Sequence, residues 1–136
     1  MRIVLDTNVL VSGLLNPHGP PGRVVDAVLA GTITVLYDDR IISEYRQVLP
    51  RPPFKFLLAD IHALLDFVER GGAPTVAPPL AVVLPDVTDL PFLEVAVCER
   101  ADALVTGNVK HFRPRRGHHT VEICTPAEFL VRLTHR

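Results

Sequence analysis

The residues of this chain that could do chemistry are mostly acids, and they stand at the ends of apolar runs. Asp6 follows Ile3-Val4-Leu5 directly, Asp86 follows "LAVVLP", and Asp38 and Asp39 follow "TITVLY". Asp89 opens an apolar helical pattern, and the amide of Asn108 follows "DALVTG". A carboxylate abutting a buried strand is costly unless something pairs with it. Carboxylates gathered at one edge also repel one another, and a divalent cation removes both conflicts. Oxygen-only donors suit Mg²⁺ or Mn²⁺, hard ions that keep waters and bind substrate phosphates. A cation held in this way lowers the pKa of a bound water and stabilises charge in a displacement at phosphorus. The pattern points towards metal-assisted phosphodiester chemistry without requiring it.

Each acid also has a plainer reading. Asp38 and Asp39 read best as helix N-terminal acids, favoured by free backbone amides and the helix dipole. For Asp89 that reading and a role in a site weigh evenly. Glu44 lies beside Ile41 and Val48 on the helical wheel, roughly 100° from the centre of the apolar face. It can reach over the sheet edge, but a solvated flank is the favoured reading for Glu44 alone. Asp86 in "LPDVTD" can be a turn residue and is kept as a supporting candidate, and Asn108 can be a turn-former after Gly107. Asp6 is the hardest to dismiss, because Ile3 to Leu5 read as a central strand.

The elements that must position these residues alternate. Strands are expected at 2–5, 32–37, 102–106 and 120–124, and short extended segments within the Pro-rich stretch 74–85. Helices are expected at 8–15, 23–31, 38–49, 55–70, 89–101 and 125–136, with a Pro/Gly loop over 16–22. The last helix carries Thr125 as N-cap, Pro126 at its first position and Glu128 at its third, a capping box. Apolar strands separated by helices indicate a parallel sheet covered on both faces, an α/β fold with three α/β/α layers. In such sheets ligands bind outside the carboxyl ends of the strands, where the acids stand.

Composition sets the outer bounds. The 136 residues suffice for one domain, 1–136, with a proper core. The 48% hydrophobic and 21% charged content is that of a soluble globular protein. No apolar run approaches the roughly 20 residues that span a bilayer, and the N-terminus lacks the features of a signal peptide. The cytoplasm is the expected compartment. Cys98 and Cys124 give no disulfide framework or metal-ligand spacing, and both are expected to be small buried thiols. A net charge of −1 argues against a protein that coats nucleic acid, though not against a local basic patch.

Three segments carry a resemblance. "IVLDTNVLVSGLL", "PDVTDLPFLEVAVCERADALVTGN" and the following "VKHF" resemble the PIN-domain family, and "SEYRQVL" with "RPPFKF" resembles one branch of it. That branch holds toxin components of type II toxin–antitoxin systems, the VapC-like ribonucleases. The resemblance implies a Mg²⁺- or Mn²⁺-dependent ribonuclease with an antitoxin partner and, commonly, a homodimer. It makes Asp6 the first-strand metal ligand, Glu44 the acid of the second region, and Asp89 a further metal ligand at the central helix. Asn108 falls where many members have another Asp, a departure that implies one tightly held metal. Thr7, Asn8 and Thr106 resemble the polar residues that orient ligands or phosphates. On this pattern Asp6 and Asp89 hold the metal, with Asn108 directly or through water, and Glu44 orients or helps deprotonate the attacking water.

The stretch "VKHFRPRRGHH" is the densest basic run, and Lys110, Arg113, Arg115 and Arg116 are candidates for contacting an RNA backbone. A solvated loop is an equal reading. A zinc site on His111, His118 and His119 is disfavoured, since no matching cluster accompanies them. Two rivals have other functions. A phosphoacceptor signalling domain would want paired acids after the first strand, whereas Thr7 follows Asp6. A degenerate PIN domain would keep the fold and bind RNA or protein without cutting, and Asn108 is the residue that favours it.

Overall fold

The computed structural model describes residues 1–72 and 74–135. In chain order the elements are β1 (Arg2–Leu5), α1 (Thr7–Leu15), α2 (Pro20–Leu29), β2 (Thr34–Val35), α3 (Asp39–Val48) and α4 (Leu58–Arg70). A 3-10 turn (Val87–Asp89) leads into α5 (Leu90–Cys98), then β3 (Ala103–Val105) and a second 3-10 turn (Val109–Phe112). The chain closes with β4 (Ile123–Cys124) and α6 (Pro126–Thr134). The sheet runs β2-β1-β3-β4 with every neighbouring pair parallel. Helices cover it in the three α/β/α layers that the apolar strands require.

β1 and β3 form the centre. Ile3, Val4, Leu5, Ala103, Leu104 and Val105 are all fully buried. Side chains alternate across a strand, so a run buried throughout must be covered on both faces. Around them pack Leu10, Val24, Ile41, Leu65, Phe92, Leu93 and Phe129. Burying each such side chain stabilises by roughly 1.5–3 kcal/mol. α6 starts as its sequence dictates: Thr125 Oγ1 accepts from Glu128 N at 3.2 Å, and Glu128 Oε1 accepts from Thr125 N at 2.9 Å.

Several boundaries differ from expectation for identifiable reasons. α2 begins at Pro20 rather than 23, because Pro20 and Pro21 occupy the first helical positions, where a missing N–H costs nothing. α4 begins at Leu58 rather than 55. β2 pairs over two residues only. "LAVVL" is not a strand of the sheet: among the described residues its one pairing is an antiparallel bridge between Val83 and Arg116. Asp86 therefore does not stand at a sheet-strand end. Cys124 is buried as expected, but Cys98 is exposed, because it closes α5 on the side facing away from the core.

Candidate active site

The carboxyl ends of β1 and β3 are adjacent, and the residue after each strand points its side chain to the other. Thr106 Oγ1 donates to Asp6 Oδ2 at 2.8 Å, and both residues are buried. The backbone continues the ladder past the strands, with Asp6 N donating to Val105 O at 3.0 Å. Asp6 occupies the N-cap position of α1 but makes no capping hydrogen bond with its side chain. Its carboxylate is thus left to face the edge. Burial raises its pKa, offset in part by the Thr106 hydroxyl and the nearby amides of Thr7 and Asn8.

Two more polar residues of this corner fasten neighbouring elements. Thr7 Oγ1 donates to Glu44 Oε2, drawing the acid of α3 to the start of α1. Asn8 Oδ1 accepts from Gly107 N at 3.1 Å, tying α1 to the loop after β3. Beneath them Tyr45, fully buried, donates its hydroxyl to Leu5 O at 2.5 Å. That bond fixes α3 against the end of β1. Burial, with Asp6 and Glu44 nearby, pushes the Tyr45 phenol well above its ordinary pKa, so it remains a donor.

Asp89 enters from the other side, as the last residue of the first 3-10 turn and the N-cap of α5. Its Oδ2 is buried and, among the described residues, has no hydrogen-bond partner. Burial first, then the charges of Asp6, Asp86 and Glu44, raise its pKa to about 6, against a smaller opposing effect of His111. His111 Nδ1 lies 3.6 Å from that oxygen. The structure therefore brings Asp6, Glu44, Asp89, Thr7, Asn8 and Thr106 to one edge. Asp86 is exposed there and engaged locally, accepting from Thr88 N at 2.9 Å and Thr88 Oγ1 at 2.8 Å. That pairing holds its carboxyl below the ordinary range.

Asn108 is exposed, and its Nδ2 contacts His111 Nε2 at 3.0 Å instead of a carboxylate. Lys110, Arg113, Arg115 and Arg116 are also exposed, but their loop is not free. Val83 N donates to Arg116 O at 2.9 Å, and Arg115 N to Val83 O at 2.7 Å. Gly117 makes this closure possible: its φ is +75°, and a Cβ there would lie 2.4 Å from Ala81 O. His119 is committed to the backbone through both ring nitrogens, facing Phe112 O at 3.0 Å and accepting from Val121 N at 3.1 Å. It has no nitrogen left for zinc.

The residues fit a hard divalent cation in kind. The donors are carboxylate oxygens, burial and the charges of Asp6, Asp86 and Glu44 raise the pKa of Asp89, and among the described residues its buried Oδ2 lacks a partner. They are not drawn into a closed cage, since among the described residues no three acidic, imidazole or thiol side chains stand together as a formed metal site.

Sequence reasoning missed a second charged cluster alongside. Arg40 donates to Asp38 Oδ2 at 2.8 Å and to Glu94 Oε1 at 2.7 Å, and both acids are buried. Glu94 Oε2 also accepts from Leu80 N at 2.9 Å. Asp38 caps α3 through Ile41 N at 2.9 Å, as expected of a helix N-terminal acid. The available signal was Glu94 itself, a charge among apolar residues in "PFLEVAV".

Among known proteins, an uncharacterized protein of Methanocaldococcus jannaschii is 36% identical over 44 residues. The match spans 32% of this chain and 28% of that relative, so the chain covers less than a third of the relative's length. No solved structure matches. The described residues contain no helix long and apolar enough to cross a membrane. Residues 2–110, most of the chain and all of the edge that gathers Asp6, Glu44 and Asp89, match the model of the PIN domain, a nuclease-type fold. The chain belongs to the PIN-domain family.

Proposed function

We propose that this protein is a Mg²⁺- or Mn²⁺-dependent ribonuclease that hydrolyses RNA phosphodiester bonds, and that it is the toxin of a type II toxin–antitoxin pair. The observation that carries the reading is the convergence of Asp6 and Glu44 on Asp89, whose charged form burial and those two carboxylates disfavour. Asp6 and Asp89 are the residues to hold the ion, which would supply charge neutralisation at the phosphate and a more acidic water. Thr106 keeps Asp6 oriented, and Thr7 keeps Glu44 turned to the edge. Glu44 orients the attacking water and accepts its proton as the water oxygen bonds to phosphorus and the ester oxygen leaves. Lys110, Arg113, Arg115 and Arg116 supply positive charge for the RNA backbone, held beside the site by the Val83–Arg116 bridge.

A protein partner has support of a different kind. Leu15, Leu29, Leu57, Leu58 and Phe67 are exposed on α1, α2 and α4 and the residue before it. A cavity of about 450 Å³ opens among Leu14, Val25, Leu29, Leu64 and Phe67. Apolar surface of this kind is where an antitoxin or a second copy would dock. The non-catalytic reading, a PIN domain that binds without cutting, draws on Asn108, which faces His111 and not the acids.

Calorimetric titration of Mn²⁺ into metal-stripped protein, beside Asp6→Asn and with RNA cleavage assayed on the same samples, tests the reading. Binding and cleavage are expected in the wild type. Both should fall in the variant by more than roughly 100-fold, the upper end of what merely supporting residues cost. Cleavage that persists in Asp6→Asn removes the assignment. A wild type that takes up no Mn²⁺ selects the non-catalytic reading.

A further inference from the structure

Asn108 stands where the family resemblance places a further acid, yet its side chain engages an imidazole. Nδ2 lies 3.0 Å from His111 Nε2. A carboxamide nitrogen only donates, so Nε2 accepts, and the proton of the neutral ring is on Nδ1. Nδ1 is the atom turned towards Asp89, 3.6 Å from Oδ2. That oxygen is buried and has no hydrogen-bond partner among the described residues.

The backbone holds this arrangement. His111 N donates to Asn108 O at 3.0 Å, closing the 3-10 turn that eclipses positions 108 and 111. Asn108 N donates to Thr106 Oγ1 at 3.0 Å, and the same hydroxyl donates to Asp6. One chain of contacts thus runs from Asp6 through Thr106, Asn108 and His111 to Asp89.

Building on the reading of the site as a metal-dependent nuclease, we propose that Asn108 is a positioning residue that acts through His111. It selects the Nδ1–H tautomer and turns that N–H onto Asp89, so that a small closure of the ring completes the hydrogen bond and fixes the carboxylate. The amide at 108 is then a donor that serves the site, not a weakened ligand. An aspartate in its place would accept from Nε2–H, reverse the tautomer and withdraw the donor from Asp89. Donors that hold a ligating group from behind are typically worth roughly 10–100-fold in metal affinity.

The test joins two measurements on the wild type, Asn108→Ala, Asn108→Asp, His111→Ala and the Asn108→Ala/His111→Ala double variant. Imidazole ¹⁵N NMR of the metal-stripped proteins, at about pH 8 where a histidine is ordinarily neutral, reads the tautomer. Calorimetry reads Mn²⁺ affinity. The wild type is expected to show Nδ1–H, Asn108→Asp to show Nε2–H, and Asn108→Ala to lose the preference. Each alanine variant should bind Mn²⁺ roughly tenfold more weakly, and the double variant no more weakly than the worse single one. An Nε2–H wild type, additive losses, or tighter Mn²⁺ binding by Asn108→Asp overturns the proposal. A wild type that takes up no Mn²⁺ overturns the nuclease reading instead, and the imidazole spectrum still decides the Asn108–His111 pairing.

Discussion

Asp89 is held in surroundings that favour its neutral form. Its folded pKa of about 6 lies above the ordinary 3.8, so the folded protein binds the proton more tightly than the unfolded chain does. The contribution is therefore most favourable below about pH 4, and it is lost as the pH rises through about 6. Asp89→Asn should stabilise the metal-free protein at pH 7 by about 1–2 kcal/mol, allowing for the water that reaches the side chain. The gain should vanish near pH 4. Urea unfolding of both proteins at the two pH values checks this, and an equal difference at both would show that the charge is not the cause. Asp6 was legible because three apolar neighbours left it nowhere to be exposed. Glu94 was not, because a buried charge in an apolar helix announces a need for a partner without naming Arg40. Cys98 misled for the opposite reason: its helix is apolar nearly all round, so periodicity could not tell its outer face.

At the scale of elements, the site depends on how α3 and α5 are set against each other, since one carries Glu44 and the other follows Asp89. Arg40 ties them, with Asp38 at the N-cap of α3 on one side and Glu94 in α5 on the other. The Arg40 side chain is 46% exposed while both acids are buried. Water therefore offsets part of its removal, but the acids lose their counter-charge. Arg40→Ala should destabilise by about 1–2 kcal/mol, between an exposed and a fully buried pair. Under the proposed function RNA cleavage should also fall, because Glu44 and Asp89 lose their common frame. Chemical denaturation and cleavage rates at a temperature where the variant is folded check both parts. Helix starts were legible wherever Pro or a capping box marked them, as at α6. The two-residue β2 and the "LAVVL" segment were not, because pairing depends on partners distant in sequence.

At the scale of the molecule, the family match ends at residue 110, but the fold does not. β4 completes the sheet beside β3, and α6 buries Phe129 fully. α6 also packs on α2 and β3. A chain cut after 110 loses one edge of the central sheet and the cover over part of its core. It should fail to unfold cooperatively, and Phe129→Ala in the full chain should cost about 3–5 kcal/mol. Thermal and urea unfolding followed by circular dichroism would show this. A cooperative, stable 1–110 fragment would mean that the last 26 residues are an accessory. The order of the sheet was legible only as a class, because parallel strands carry no local mark of their neighbours.

The ladder that passes through Asp6 has a consequence for how the site can move. Asp6 N bonds to Val105 O and Thr106 N to Cys124 O, both at 3.0 Å, so these two residues belong to the sheet's own hydrogen-bond lattice. Their amides are released only when the sheet opens, which places them among the slowest-exchanging in the molecule. Glu44, Asp89 and His111 are carried on helices and turns outside that lattice. One side of the acidic edge is therefore as rigid as the core, and under the proposed function accommodation of an RNA strand would fall to the other.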